Sequence, residues 1–409
     1  MGYGSVKVMA LALLWCGLCA AAPANTTAAG APPLAQNAVP DTGPLGPPTG
    51  TTVPTDPLTG PTSTPAVIRM ALLLPLHSHT LGAAAQAVRA GVLAGHQREA
   101  AGVTVDVLES GDAAQDVLSA YAAAVGKFDI VIGPLSRADV AAVAQSGNVS
   151  RPTIALSAPQ APGSEAEPTP PPRMLVVGLS LEDEARQVAD WIGAARPGAK
   201  TFVISTGSAW QQRAARAFAA QARQAGLAIQ AMELSLASGY VSPSGLAQLK
   251  QRITAEQPEA LFVALDAQQA KQLRVAVGDE IPLYGTSQLN PLTPSDWAAT
   301  EPVNELNGVR LVDIPWQLQT DHPAVMVYPH PHPLPDPERK RSADLERLYA
   351  LGIDAYRVAR AIATGSTNFG IDGVTGKLAV SFGDSAPGFR RIEPQAVYRD
   401  GKVQALAGP

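Results

Sequence analysis

Cysteine is nearly absent from this 409-residue chain: Cys16 and Cys19 are the only two, both within the first twenty positions. Everything downstream is therefore built without disulfides, thiol nucleophiles or cysteine-based metal sites. Charge is also sparse, at 16% of residues, and 30 Lys+Arg against 35 Asp+Glu leave a net charge of −5. No basic run stands out, which argues against nucleic acid as a partner. Beyond residue 30 there is no unbroken stretch of about 18 apolar residues of the kind that spans a membrane. Catalytic signatures are missing too: no Gly-x-Ser-x-Gly, no phosphate loop, no His-Glu-x-x-His and no dinucleotide glycine pattern. Hydrophobic residues make up 46% of the chain, too many for a disordered protein. The length exceeds what one core usually serves, so two domains are expected.

The first residues read as an export signal. Lys7 supplies a weak positive start, Val8–Leu18 an apolar core, and Ala22-Pro23-Ala24 a small-residue cleavage site, so residues 1–24 form the expected signal and the mature chain starts near Asn25. A lipidated N-terminus would need a small residue before the cysteine. Here Leu18 precedes Cys19 and Trp15 precedes Cys16, so any membrane contact would come only through a lipid anchor in poor context. Residues 25–65 hold ten prolines and only two charges, Asp41 and Asp56. Proline fixes φ and cannot donate to a ladder, so this is a disordered linker biased to polyproline II, with a reach of roughly 120 Å.

From Val67 onward apolar runs alternate with helical patterns. Strands are expected at Ile68–Leu74, Val103–Leu108, Asp129–Ile132, Thr153–Leu156, Leu175–Val177, Phe202–Ser205, Ile229–Leu234 and Ala260–Leu265, with shorter ones at Leu283–Tyr284 and Val309–Val312. Many are continuous apolar runs, as in strands covered on both faces. Leu181, Ala185, Val188 and Ile192 share one helix face behind a Ser180/Asp183 capping pattern, and Ser242-Pro243 opens another helix. Leu345, Leu348, Gly352, Ala355, Ala359 and Ile362 form a third stripe, and Gly91 and Gly95 suggest a helix lying close on a sheet. Alternating β and α units imply parallel sheets with right-handed crossovers.

Ligands of open α/β sheets sit beyond the C-terminal strand ends. The residues there that suit a small polar ligand are Ser78, Ser136, Ser157 and Ala158 from the first half, with Ser208 and Asp266 from the second; Asp266 would pair an ammonium group. The same residue types also cap helices. The histidines, His77, His79, His96, His322, His330 and His332, include two His-x-His pairs. They read as solvated loop residues, since His330 and His332 lie in a proline-rich segment and no carboxylate pair joins them. A hydrolase would rest on these pairs alone, so no catalytic residue, metal site or cofactor is assigned.

Ile68-Arg-Met-Ala-Leu-Leu-Leu-Pro-Leu76 followed by Ala85–Gly91, Asp129-Ile-Val-Ile-Gly-Pro-Leu135, and Pro152-Thr-Ile-Ala-Leu-Ser157 resemble the landmarks of the penicillin-binding protein activator (LppC) family. Gly370-Ile-Asp-Gly-Val-Thr-Gly-Lys-Leu378, with Arg390-Arg391 and Val397-Tyr-Arg-Asp-Gly401, is similar to its C-terminal signature and is the more specific part. The likeness runs over about residues 67–402. It implies a type I periplasmic binding protein fold: two Rossmann-like lobes with a cleft, joined by three crossings. It also implies a non-enzymatic regulator in the periplasm, attached to the outer membrane in most members, that binds and activates a bifunctional peptidoglycan synthase (a class A penicillin-binding protein) and so bears on cell shape. Larger members carry an N-terminal helical-repeat domain, where this chain has only the linker. A solute-binding protein that feeds a small polar ligand, such as an amino acid, to an ABC importer is the alternative. Lobe one is expected at residues 66–179 plus 281–343 and lobe two at 180–280 plus 344–409. A lobe angle independent of ligand is expected, with Arg137 and Asp266 able to lock the lobes if they meet.

Overall fold

The computed structural model describes residues 67–159, 169–296, 300–330, 342–383 and 386–407. The expected signal and linker, 1–24 and 25–65, lie outside the described residues. Residues 63–409 belong to one compact unit.

The first lobe is built on five parallel strands: β1 (Ile68–Leu74), β2 (Val103–Glu109), β3 (Ile130–Ile132), β4 (Thr153–Ala155) and β5 (Met174–Val176), in the order β2-β1-β3-β4-β5. Helices α1 (Gly82–Arg98), α2 (Ala114–Val125) and α3 (Arg137–Gln145) make the connections. Along β1, Met70, Leu72 and Leu74 enter one core, while Ala71 and Leu73 enter another with Tyr121 and Val140. Both faces are covered, which is why the strand is apolar without alternation.

The second lobe opens with α4 (Leu181–Ala195) and continues through β6 (Lys200–Thr206), α5 (Ala209–Gln224), β7 (Ala228–Leu234), the short pair β8 (Leu236–Ala237) and β9 (Tyr240–Val241), α6 (Pro243–Glu256), β10 (Ala260–Val263), α7 (Ala267–Val277), β11 (Leu283–Gly285) and β12 (Arg310–Val312). Short helices α8 (Pro315–Leu318) and α9 (Pro323–Met326) lead to the long α10 (Ala343–Ala363). Five antiparallel strands end the chain: β13 (Asn368–Asp372), β14 (Lys377–Ser381), β15 (Gly388–Ile392), β16 (Gln395–Arg399) and β17 (Lys402–Ala405). The second sheet has the order β17-β16-β12-β11-β10-β6-β7, and β13-β14-β15 form a separate sheet.

For β11, β12 and the stretch from α10 to β15 the expected division between the lobes is the reverse of the observed one, while β16 and β17 lie in the second lobe as expected. β11 pairs in parallel with β10 (Leu261↔Leu283) and β12 with β11 (Tyr284↔Arg310), so residues 283–312 stay in the second lobe. α10 goes instead to the first lobe: Leu351, Ala355, Tyr356, Ala359 and Ile362 share a core with Met70, Leu72 and Ile130, and Leu378 and Val380 of β14 join them. Only β16 and β17 return to the second sheet, through antiparallel pairing with β12 (Leu311↔Ala396). The cause is pairing economy. A three-residue apolar strand carries no mark of its sheet, and sequential strands usually lie side by side. The chain nevertheless crosses between lobes three times, from β5 to α4, from β12 to α10 and from β15 to β16.

The glycines of α1 have a different role from the one expected. A Cβ on Gly91 would fall on the Tyr349 carbonyl, and one on Gly352 would lie 3.1 Å from the Gly91 Cα. These glycines let α1 and α10 touch backbone to backbone; they do not seat a helix on a sheet. α10 is therefore buried on most of its circumference, by α1 on one side and the β13–β15 sheet on another.

Candidate functional site

The strand-end loops place Ser78, Ser136, Ser208 and Asp266 at or just before helix starts, where three of the four are already engaged, while Ser157 and Ala158 follow β4. Ser78 Oγ accepts the N–H groups of Thr80 and Leu81 at 3.3 and 3.1 Å, closing the turn before α1. Ser136 caps α3 by accepting the Asp139 N–H at 3.1 Å. Asp266 caps α7, accepting the Gln269 N–H at 2.8 Å, while Gln269 Oε1 accepts the Asp266 N–H at 3.3 Å. The Ser136 and Asp266 bonds are the caps a helix N-terminus requires. Ser157 and Ser208 differ. Each hydroxyl oxygen is buried and has no hydrogen-bond partner, one in each lobe. Ala158 is half-buried beside Ser157.

Within the second lobe the loops of Ser208 and Asp266 are tied into one buried relay. Gln211 Oε1 accepts from the Thr206 N–H (2.9 Å) and hydroxyl (2.5 Å), and Gln211 Nε2 donates to Gln269 Oε1 (2.7 Å). Gln269 is the partner of Asp266 in the cap, and the Ser208 N–H donates to Thr206 Oγ1 at 3.4 Å. Among the described residues no hydrogen bond joins Ser78, Ser136 and Ser157 in the same way.

Arg137 does bridge the lobes, but its partner is Glu182 and not Asp266, which is committed to its cap. Arg137 Nη1 lies 3.5 Å from Glu182 Oε1 in the first turn of α4, and Arg213 Nε of α5 donates to the same oxygen at 2.8 Å. Burial works against the charged form of Glu182. The Arg213 hydrogen bond, its own backbone N–H and the two guanidinium charges nevertheless hold its carboxyl below the ordinary carboxylate range.

The densest polar cluster sits where the three crossings converge. Asp313 ends β12 and is fully buried against Arg347 of α10, which donates Nε to Asp313 Oδ1 at 3.0 Å and Nη2 to Oδ2 at 2.7 Å. Arg347 Nη2 also reaches the carbonyls of Ser287 and Asn290 after β11, so the first turn of α10 is bonded into the second lobe although the helix body lies in the first. Burial opposes the Arg347 charge, but Asp313 outweighs it and pushes the guanidinium pKa up. Beside it Glu184 of α4 accepts the Ser287 N–H at 2.7 Å and the Ser287 hydroxyl at 2.9 Å. Burial, reinforced by the Asp313 charge, raises Glu184 to about 8. Glu393 in the third crossing is raised well above the ordinary range by burial and then by Glu184. Its backbone N–H donates to Gln187 of α4 at 2.9 Å, and the Asp313 N–H donates to Pro394 in the same crossing at 3.3 Å.

The C-terminal signature has a place in this cluster. Gly373-Val-Thr-Gly376 is the turn between β13 and β14, and Asp354 of α10 accepts from the Val374 N–H (3.2 Å), the Thr375 N–H (2.8 Å) and the Thr375 hydroxyl (2.7 Å). Gly376 has φ +137°, a region closed to most side chains. Arg391 on β15 donates Nε to Thr375 Oγ1 at 3.1 Å and its two terminal nitrogens to the carbonyls of Gly178 (2.9 Å) and Val177 (2.7 Å). The motif thus fastens α10, the hairpin and the first and third crossings to one another.

Sequence reasoning missed most of these residues. Glu184, Arg347 and Asp354 interrupt apolar helical patterns that otherwise read as core, and that interruption was the available signal. Among the described residues the histidines do not assemble: His77 pairs with Glu109 at 3.0 Å on the surface, His96 bonds the Val103 carbonyl, and His322 caps α9; His332 lies outside the described residues. Among the described residues no three metal-ligating side chains come together.

The family model described as "LppC putative lipoprotein" matches residues 62–385. No curated protein sequence matches the chain. Among solved structures, a "putative branched-chain amino acid ABC transporter" from Chromobacterium violaceum is 34% identical, covering 81% of this chain and 99% of that one with a TM-score of 0.63. Full-length LpoA from Haemophilus influenzae superposes with a TM-score of 0.64 at 19% identity, over 84% of this chain and 59% of LpoA, so the chain spans little more than half of that protein. The LpoA C-domain, described as a regulator of PBP1A, is covered in full, with 83% of this chain, 19% identity and a TM-score of 0.60. The fold is the periplasmic-binding-protein type expected from the sequence, and with the model matching well over half its length the chain belongs to the LppC family.

Proposed function

We propose that this chain is an exported, non-enzymatic envelope protein that docks on a bifunctional peptidoglycan synthase, a class A penicillin-binding protein, and raises its activity. Residues 1–24 direct export, and residues 25–65 give the folded body reach within the periplasm. One observation carries the reading: the lobes are bonded to each other by the chain's own groups, with α10 anchored in both. Such a body offers a constant surface to a partner and needs no solute to set its shape. The family membership supports the same conclusion. The test adds the purified chain to a class A synthase and follows glycan polymerisation and crosslinking. The reading expects a saturable rise in rate and capture of the synthase from envelope extract; an unchanged rate with no capture would overturn it.

A second reading is favoured by a separate observation. Ser157 and Ser208 put one buried, unpartnered hydroxyl in each lobe. A small polar ligand such as an amino acid, held between them with Ser78, Ser136, Ala158 and Asp266 around it, would make the chain a solute-binding component for an ABC importer. A ligand present at 100 times its Kd stabilises by about 2.7 kcal/mol. A broad panel of amino acids that leaves the melting temperature unmoved would discard this reading.

A further inference from the structure

The second sheet ends in the β16–β17 hairpin, which carries the Val397-Tyr-Arg-Asp-Gly401 part of the C-terminal signature. Asp400 and Gly401 make its two-residue turn, both at positive φ (+51° and +69°). Ala396 and Tyr398 enter the core on one side of the sheet. Gln395, Val397 and Arg399 therefore face the other side, that of α4. Lys402 lies opposite Arg399, and Arg310 of β12 opposite Val397, so both cations share this side. Between the hairpin and α4 runs a groove of about 680 Å³, with Trp191, Ala194 and Ala195 on one wall and Gln395, Arg399 and Leu406 on the other. Tyr284 meets the Trp191 ring edge-on at 5.3 Å.

Two features point to what the groove takes. The first is unbalanced charge. Arg399 and Lys402 are exposed and directly opposite one another, a placement that costs stability when the charges are alike. Among the described residues neither has an ion-pair partner, and Asp400 in the turn pairs with no cation. Asp190 of α4 is engaged by Gln221 at 2.7 Å, and Arg310 bonds the Tyr284 hydroxyl at 2.5 Å. The second is an open edge. β17 is the outermost strand of its sheet. The Leu406 N–H donates to the Gln395 carbonyl at 2.7 Å, so Lys402, Gln404 and Leu406 bond inward and the backbone groups of Val403 and Ala405 point outward. An unpaired strand edge is a template for another extended chain.

We propose that an acidic, extended peptide segment docks here, adding a strand to β17 and setting alternate carboxylates against Lys402 and Arg399. The site stands whether or not the chain docks on a synthase. Titration calorimetry on the full chain uses a capped seven-residue peptide with glutamate at every second position and valine or serine between, and its lysine analogue as control. Two further forms are N-methylated on alternate residues, one on the glutamates and one on the rest, since only one set of N–H groups can face β17. Arg399→Glu and Lys402→Glu reverse the charge of the site, and Arg223→Glu, an exposed position on α5, controls for net charge. Unchanged melting temperatures verify folding, and Arg399→Gln replaces a reversal that unfolds. The expected result is one acidic peptide per chain and no heat from the lysine analogue. Binding should be roughly tenfold weaker or more in Arg399→Glu and Lys402→Glu, unchanged in Arg223→Glu, and abolished by one methylation pattern but not the other. No binding of the acidic peptide, equal binding of the lysine analogue, wild-type affinity in the site variants, or the same response to both methylation patterns would each overturn the proposal.

Discussion

Glu184 is an acid whose surroundings favour its neutral form. Burial lifts its pKa from the ordinary 4.5 to about 8, and the nearby Asp313 charge adds to the effect. The folded chain therefore holds a proton that the unfolded chain has released between those values. Stability from this group is complete below about 4.5 and is lost as pH rises toward 8. Glu393 is displaced in the same direction by burial and by Glu184, while Arg391 of β15 opposes its shift and Arg347 of α10 opposes that of Glu184. Glu184→Gln keeps an acceptor for the Ser287 N–H and cannot ionise. Denaturant unfolding from pH 5 to 8.5 should show wild-type stability falling more steeply with pH than that of the variant. Parallel curves would mean that Glu184 does not hold the proton. Arg391 is a second test at this scale. It is buried and serves three acceptors, so Arg391→Ala leaves Thr375 Oγ1 and two carbonyls unserved and removes the positive charge that opposes the upward shift of Glu393. A loss of about 3 kcal/mol or more is expected from the unfolding midpoint, and a loss below about 1 kcal/mol would contradict its role.

At the scale of elements, the α1–α10 contact depends on having no side chain at Gly91. Helix propensity alone would make Gly91→Ala stabilising by up to about 1 kcal/mol. The added Cβ would meet the Tyr349 carbonyl, and overpacking costs about 1–3 kcal/mol, so a net loss of stability is expected in thermal unfolding. A gain would show that the helices stand further apart than the structure places them. Ten parallel strands were legible, and with them the helices α4 and α6; the central strands stood out because a strand buried on both faces is apolar, as Met70–Leu74 is. The terminal sheets were not. β13 exposes alternate residues and carries Gly370 and Asp372 within it, so Asn368–Asp372 has too little apolar content to read as a strand. The exchange of β11, β12 and α10 between lobes was equally hidden, because it lies in pairings such as Leu261↔Leu283 that three-residue runs do not encode. For the site, residue types at the strand ends were readable and their engagement was not. Ser136 and Asp266 look the same in sequence whether they face a ligand or cap a helix.

For the whole molecule, magnitudes rank the ties between lobes. Arg137–Glu182 is partly solvated and is worth about 0–1 kcal/mol. Arg347–Asp313 is buried, and breaking it by removing one partner costs about 3–5 kcal/mol. The junction network around α10, not the ion pair across the cleft, therefore fixes the lobe angle, and the three crossings are bonded to one another. The low cysteine content allows a direct measurement. With Cys16 and Cys19 replaced by serine, spin labels on Asn148→Cys in the first lobe and Arg216→Cys in the second report the interlobe distance by pulsed electron resonance; both positions are exposed. One narrow distance is expected in the solute-free chain, unchanged by an amino-acid panel, retained in Arg137→Ala, and joined by a second, longer distance in Arg347→Met. Two distances in the solute-free wild type, or a shortening on addition of any one amino acid, would contradict the account.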